Sequence, residues 1–349
     1  MRISRTVAQL PPSGIRAFFD LVAASDDIVS LGVGEPDFVT PWNFCESGIF
    51  ALERGYTSYT SNKGTPEFRQ SVARYQKGLI GQDFDPESEI LATVGVSQGM
   101  DIAMRAILNP GDEVILFQPC FVSYAPMISL AGGTPVPVQL KGDAFEPDVD
   151  GVKKAITGKT RAILICSPNN PTGTVASGET LSQLAALCRE HDLIAISDEI
   201  YAELVYEGGH KSIIQQPDMR ERTLVLNGLS KSQAMTGWRI GYACGPEDII
   251  SAMLKIHQYS MMCASITAQM AGQEALDHGA EIQKKTRREY NRRRQFIVSS
   301  LNEMGLKCHM PGGAFYAFPS IKSTGLDSGE FCRRLLEEEK VAVVPGSAF

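Results

Sequence analysis

After the first 40 residues, short apolar runs alternate with segments whose apolar residues recur at helical spacing. The runs Ile90–Val94, Glu113–Phe117, Arg161–Cys166, Leu193–Ser197, Thr223–Leu226 and Ile240–Cys244 are four to six residues long. Near-continuous hydrophobicity over that length predicts strands covered on both faces, as in a mostly parallel sheet. Between them, Gly99–Leu108, Gly178–His191 and Pro246–Tyr259 read as helices. In the second, Leu181, Leu184, Ala185, Leu187 and Cys188 form one stripe suited to a sheet face. Alternating strand and helix predicts an α/β domain in which helices flank a mostly parallel sheet.

The pattern changes near Gly272. Ala280–Met304 reads as one long charged helix, with Ile282, Tyr290, Phe296, Ile297 and Leu301 available for an apolar side. Gly312–Phe318, Gly329–Lys340 and Val341–Val344 then read as strand, helix and strand. The expected organisation is a large domain over residues 41–273 and a smaller, incomplete α+β domain over 274–349. Residues 1–40 are expected to pack with the smaller domain.

Composition narrows the classes. The 349 residues are 43% hydrophobic and 21% charged, enough for one extensive core and a lesser one. A net charge of −7 argues against a nucleic-acid partner, which needs clustered excess base. The basic run along the long helix reads as a solvated face, because Glu337–Glu339 supplies compensating charge nearby in sequence. No apolar run approaches the roughly 18 residues that span a bilayer, so no membrane partner is expected. The opening MRISRTVAQLPPSGIR has no apolar signal core, which favours the cytoplasm. Eight scattered cysteines without CxxC spacing read as free thiols. Five histidines form no HxxxH pair, so no metal site is expected.

Three motifs compete for attention. Gly32-Val-Gly34 lacks the third glycine of a dinucleotide fingerprint, and Gly158-Lys159-Thr160 lacks the first glycine of a phosphate loop. Gly95-Val-Ser97-Gln-Gly99 follows a strand-like run and precedes a helix, as the nucleophile of an α/β-hydrolase would, with His257 later in the chain. The same turn suits a phosphate, because backbone N–H groups and the Ser97 hydroxyl can converge on it.

Four further motifs occur in order: Asn169-Asn-Pro-Thr-Gly173, Ser197-Asp-Glu-Ile-Tyr201, Gly228-Leu-Ser-Lys231 and Gly237-Trp-Arg-Ile-Gly241. Three of them directly follow or lie close after a predicted strand, at the carboxyl ends where open α/β sheets place ligands. A carboxylate and a lysine 33 residues apart, Asp198 and Lys231, can meet there. Taken singly, Asp198 also fits a helix cap, Phe121 a core position and Gly34 a plain turn.

With these motifs, essentially the whole chain from about Leu10 resembles the fold-type I pyridoxal-phosphate aminotransferases, specifically the aspartate/aromatic group. Leu31-Gly-Val-Gly-Glu-Pro-Asp37, Tyr56-Thr-Ser-Tyr59, Gly64-Thr-Pro-Glu-Phe-Arg69, Pro119-Cys-Phe-Val-Ser-Tyr124 and Gly312-Gly-Ala-Phe-Tyr316 extend the match. The resemblance implies Lys231 as the Schiff-base lysine, Asp198 as partner of the cofactor's pyridine nitrogen, and Tyr201 and Asn170 at its phenolic oxygen. Phe121 stacks on the ring, and Val96, Ser97, Ser230 and Arg239 hold the phosphate. Tyr59 reaches the phosphate of a neighbouring subunit, so a homodimer with shared sites is implied. Gly34, Asn170 and Ile15 border the substrate. The Asn170–Pro171 bond is expected to be cis.

Two departures stand out. Gly228 occupies a place that is a phosphate-binding serine in some relatives. The sequence stops at Val344-Pro-Gly-Ser-Ala-Phe349, before the arginine that clamps the substrate carboxylate in the family, so weak transamination by this polypeptide is expected. The expected reaction moves an amino group from an aromatic, aspartate-like or broad-range amino acid to 2-oxoglutarate. A β-lyase of the same fold, a hydrolase built on Ser97 and a non-enzymatic cofactor-binding sensor stand as alternatives.

Overall fold

The computed structural model describes residues 2–11, 27–32 and 34–349. In chain order the strands are β1 (Val29–Ser30), β2 (Ile90–Thr93), β3 (Glu113–Gln118), β4 (Thr134–Gln139), β5 (Thr160–Cys166), β6 (Ile194–Asp198), β7 (Thr223–Gly228), β8 (Gly241–Cys244) and β9 (Val341–Ala342). Seven form one sheet in the order β2-β8-β7-β6-β5-β3-β4. β8 runs antiparallel to both neighbours, and every other adjacent pair is parallel.

Alternation along the strands divides the interior. Val114 and Leu116 of β3 and Ala162 and Leu164 of β5 pack on one face, with Met100, Met104 and Met253 from helices Gly95–Ile107 and Glu247–Ser260. Ile115 and Phe117, and Ile163 and Ile165, pack on the other, against Leu181, Leu184 and Cys188 of helix Gly178–Glu190. Both faces are therefore covered, which is why these strands read as unbroken apolar runs. A third cluster joins helices Pro66–Ile80 and Ile266–His278 to β2, β7 and β8.

Two elements differ from the sequence reading. β4, with the sequence TPVPVQ, pairs only with β3 at the sheet edge. Pro135 and Pro137, two positions apart, direct their missing N–H groups to the same side, which an edge strand tolerates. Gly312–Phe318 is not a strand. Its backbone is committed to neighbouring loops: Gly313 N–H donates to Gly173 O, Ala314 N–H to Leu204 O, and Tyr206 N–H to Gly312 O. Ala314 also has φ 57°, outside the β region.

β9 is short and pairs in parallel with β1, with Val29 opposite Val341 and Ser30 opposite Ala342. The early part of the chain is thereby tied to its last part, beside helix Ser328–Glu339. The Asn170–Pro171 peptide is cis, as expected, and so are Gln118–Pro119 and Ser167–Pro168. Among the described residues no helix is long and apolar enough to cross a membrane.

Gly173 fastens the loop after β5 to the Pro311–Gly313 segment. Its φ is 69°, and a Cβ there would lie 2.4 Å from Pro311 Cβ and 2.8 Å from Gly313 O. Gly173→Ala should lower unfolding free energy by about 2–4 kcal/mol, from left-handed strain plus overpacking. Gly158→Ala, where nothing lies within 4 Å, should be near neutral. Urea denaturation of the two variants checks this.

Candidate active site

The carboxyl ends of β5, β6 and β7 and the start of helix Gly95–Ile107 surround a cavity of about 430 Å³. It is lined by Val96, Ser97, Phe121, Asn170, Asp198, Tyr201, Ser230, Lys231 and Arg239, all singled out from sequence. Gly34 also lines it, arriving on the segment that follows β1. Tyr59 is 81% exposed and outside this cavity. Ile15 lies outside the described residues.

Asp198 is the last residue of β6 and 5% exposed. Its Oδ2 accepts from Tyr124 O–H at 2.7 Å and its Oδ1 from Ile200 N–H at 3.2 Å. Burial pushes the carboxyl up, and Glu199 adds to this. The hydrogen bonds from Tyr124 and Ile200 and the charge of Lys231 oppose it, leaving a value of about 6. A cationic partner in the cavity would remove that penalty.

Lys231 follows β7 and donates from Nζ to the Gly34 carbonyl. Burial draws its amine down to about 8; Glu35 and Asp198 resist, and Arg239 assists. Arg239 packs over Gly95 and donates to Thr236 O at 3.1 Å, so its guanidinium lies beside the first amides of helix Gly95–Ile107. Positive charge, a helix N-terminus and two serine hydroxyls suit an anion. Space is tight at Gly228: a Cβ there would lie 3.0 Å from Gly241 Cα and 3.1 Å from Ile240 O.

The opposite side of the cavity is phenolic. Tyr201 and Tyr316 share a hydrogen bond at 2.5 Å, and Asn170 Nδ2 donates to Tyr316 O–H at 3.1 Å and to Tyr201 O–H at 3.4 Å. Asn170 Oδ1 is buried without a partner. Burial raises the Tyr201 hydroxyl well above its ordinary value, so it acts as a donor rather than an anion.

The hydrolase arrangement is absent. Gln98 Nε2 lies 2.9 Å from His257 Nδ1, and Gln98 Oε1 accepts from Val94 N–H at 3.0 Å. Among the described residues no histidine hydrogen-bonds Ser97, which leaves it without a general base.

The family model "Aminotransferase class I and II" matches residues 26–349. The chain belongs to that family. It is 44% identical over 353 residues to the aspartate aminotransferase of Pyrococcus abyssi, spanning 100% of this chain and 91% of that one. It is 43% identical to aromatic-amino-acid aminotransferase 2 of Thermococcus litoralis, again spanning 100% of this chain and 91% of the other. The solved Thermus thermophilus aspartate aminotransferase with maleate superposes with TM-score 0.95 at 41% identity, covering 100% of this chain and 92% of that one. This aminotransferase is a fold-type I, pyridoxal-phosphate-dependent enzyme.

The residues present fit that cofactor. The buried Asp198 carboxylate, with no cation bonded to it among the described residues, meets the need of a protonated pyridine nitrogen, the helix start beside Arg239 suits a phosphate, and the donors Asn170 Nδ2 and Tyr201 O–H suit a phenolic oxygen.

Sequence reasoning missed Tyr124 and Tyr316. Both end motifs quoted above, but nothing in spacing told which side chain of a loop would face the site. Glu35, at the cavity rim and donated to by Thr236 O–H at 3.1 Å, was missed for the same reason.

The depressed Lys231 amine gives a pH dependence. The ammonium form cannot attack an aldehyde, so uptake of pyridoxal phosphate by cofactor-free enzyme should rise with pH, with its midpoint at about 8. Stopped-flow absorbance checks this, and a midpoint in the ordinary lysine range would contradict it.

Proposed function

We propose that this aminotransferase moves the amino group of an aromatic, aspartate-like or broad-range amino acid to 2-oxoglutarate. The observation that carries the reading is the convergence of a lysine, a buried carboxylate, a phenol–amide pair and an anion cradle on one cavity. The relatives named above act, by their names, on aspartate and on aromatic amino acids. Apolar lining from Met100, Phe121, Val122 and Met127 supports room for a hydrophobic substrate side chain.

When bound, pyridoxal phosphate supplies an electron sink for negative charge at the substrate Cα. Asp198 keeps the ring nitrogen protonated, and Tyr124 and Ile200 N–H hold that carboxylate in place. Val96 and Ser97 amides, the hydroxyls of Ser97 and Ser230, and Arg239 hold the phosphate. Phe121 covers the ring face. Tyr201 and Asn170 donate to the phenolic oxygen. Lys231 would hold the cofactor covalently, and its neutral amine would be the group that takes the proton from the substrate Cα. A depressed amine value is what that proton transfer needs near neutrality. Gly34 and Asn170 border the substrate carboxylate.

The enzyme works as a homodimer in which Tyr59 serves the partner's site. Exposure of Trp42, Ile49, Phe50, Leu52, Tyr59 and Tyr259 supports such an apolar interface. Residues 41–273 bind the cofactor and 274–349 form a small domain, which the early segment joins at β1; the β1–β9 pairing supports this division. The location is cytoplasmic. Eight free cysteines support a reducing compartment, and burial pushes Cys120 and Cys188 up to about 12, so they stay inert.

Adding a competent amino acid should bleach the visible band of the loaded enzyme, and 2-oxoglutarate should restore it. Initial rates should give parallel double-reciprocal lines. Release of ammonia and a 2-oxo acid without any acceptor would instead favour a lyase.

A further inference from the structure

Behind Asp198, on the other side of β6, lies a buried ionisable cluster that none of the chemistry above uses. Glu199 is 1% exposed. Its Oε1 accepts from Ser197 O–H at 2.8 Å and from Ser212 O–H, and its Oε2 lies 2.9 Å from His210 Nε2. The His210 side chain is 2% exposed, and its Nδ1 is buried without a partner. Glu199 N–H also donates to Leu226 O of β7 at 2.8 Å, so the cluster clamps the strand end that carries Asp198.

Two consecutive acids leave one strand in opposite directions, both buried. Each unit of charge on Glu199 therefore works against ionisation of Asp198. A buried carboxylate is tolerated only when compensated, and among the described residues His210 is the one cationisable side chain within hydrogen-bond reach of Glu199.

We propose that Glu199 and His210 form a positioning pair for Asp198: His210 compensates Glu199, so that Asp198 stays ionised against the cofactor's ring nitrogen. This inference rests on the cofactor orientation proposed above. Burial alone would push the Glu199 carboxyl up, yet His210 and the two serine hydroxyls hold it below its ordinary value, in keeping with a compensated anion. Among the described residues, the other titratable groups facing Asp198 are Tyr124, Cys166, Tyr201, Tyr316 and Lys231, and those facing Glu199 are Tyr242 and Cys244 of β8. Lys231 aside, none of them brings positive charge, so the balance between the two acids falls to His210.

The test follows the pH dependence of the bound cofactor's visible absorbance, and of kcat, in four loaded proteins: wild type, His210→Phe, Glu199→Gln and the double variant. His210→Phe should move the acid-side midpoint up by about one pH unit, and Glu199→Gln should move it down. The double variant, which removes both charges, should return to within about 0.3 unit of wild type, although it has lost every bond of the pair. A purely structural role predicts the reverse: unmoved midpoints, with the double variant the least stable. Unmoved midpoints in variants that fold and load would overturn the proposal. Should His210→Phe fail to fold, Glu199→Gln alone decides, a downward shift supporting the pair and no shift refuting it. Wild-type enzyme that takes up no cofactor would contradict the underlying reading instead.

Discussion

A carboxylate removed from water is costly unless something cationic meets it. Asp198 is such a group: it stands at the carboxyl end of a central strand, nearly without exposure, supported by a phenol and one backbone amide. Its value of about 6 in the cofactor-free protein expresses that tension. In the orientation proposed above, a protonated pyridine would relieve it, and the same contact would give the ring its capacity to accept electrons. On that proposal, binding and activation of the cofactor depend on one buried charge, and the surroundings of Asp198 read as means of keeping it charged and in place.

The sheet makes this arrangement possible. Parallel strands end together, so the carboxyl end of β6 and the loops after β5 and β7 deliver Asp198, Asn170 and Lys231 to one cavity although their sequence positions are far apart. The remaining wall comes from outside the sheet. Gly34 enters on the segment after β1, and Tyr316 enters from the Gly312–Tyr316 turn, which is bonded to the Gly173 loop. Lys231 touches the first and Asn170 the second, so movement of either segment would be felt by groups assigned to the chemistry.

The central strands were legible because burial on both faces leaves an uninterrupted aliphatic signature. β4 was not, since its prolines mimic a loop and only its edge position makes them acceptable. Gly312–Phe318 carried strand-like aromatics, but its hydrogen bonds go to loops around the site. Lys231, Asp198 and Arg239 could be named because the motifs around them are distinctive in combination. Tyr124 and Tyr316 could not, because irregular backbone sets their direction and periodicity is silent there. The Glu199–His210 pair joins residues 11 positions apart across an irregular segment, and no local pattern announces it.

The central claim is that the amine of Lys231 is the group that takes hold of the cofactor. Borohydride reduction of the loaded enzyme, followed by proteolysis and mass spectrometry, addresses it directly. One pyridoxyl-modified peptide is expected, with the adduct on Lys231. A modification on another lysine, or none, would contradict it.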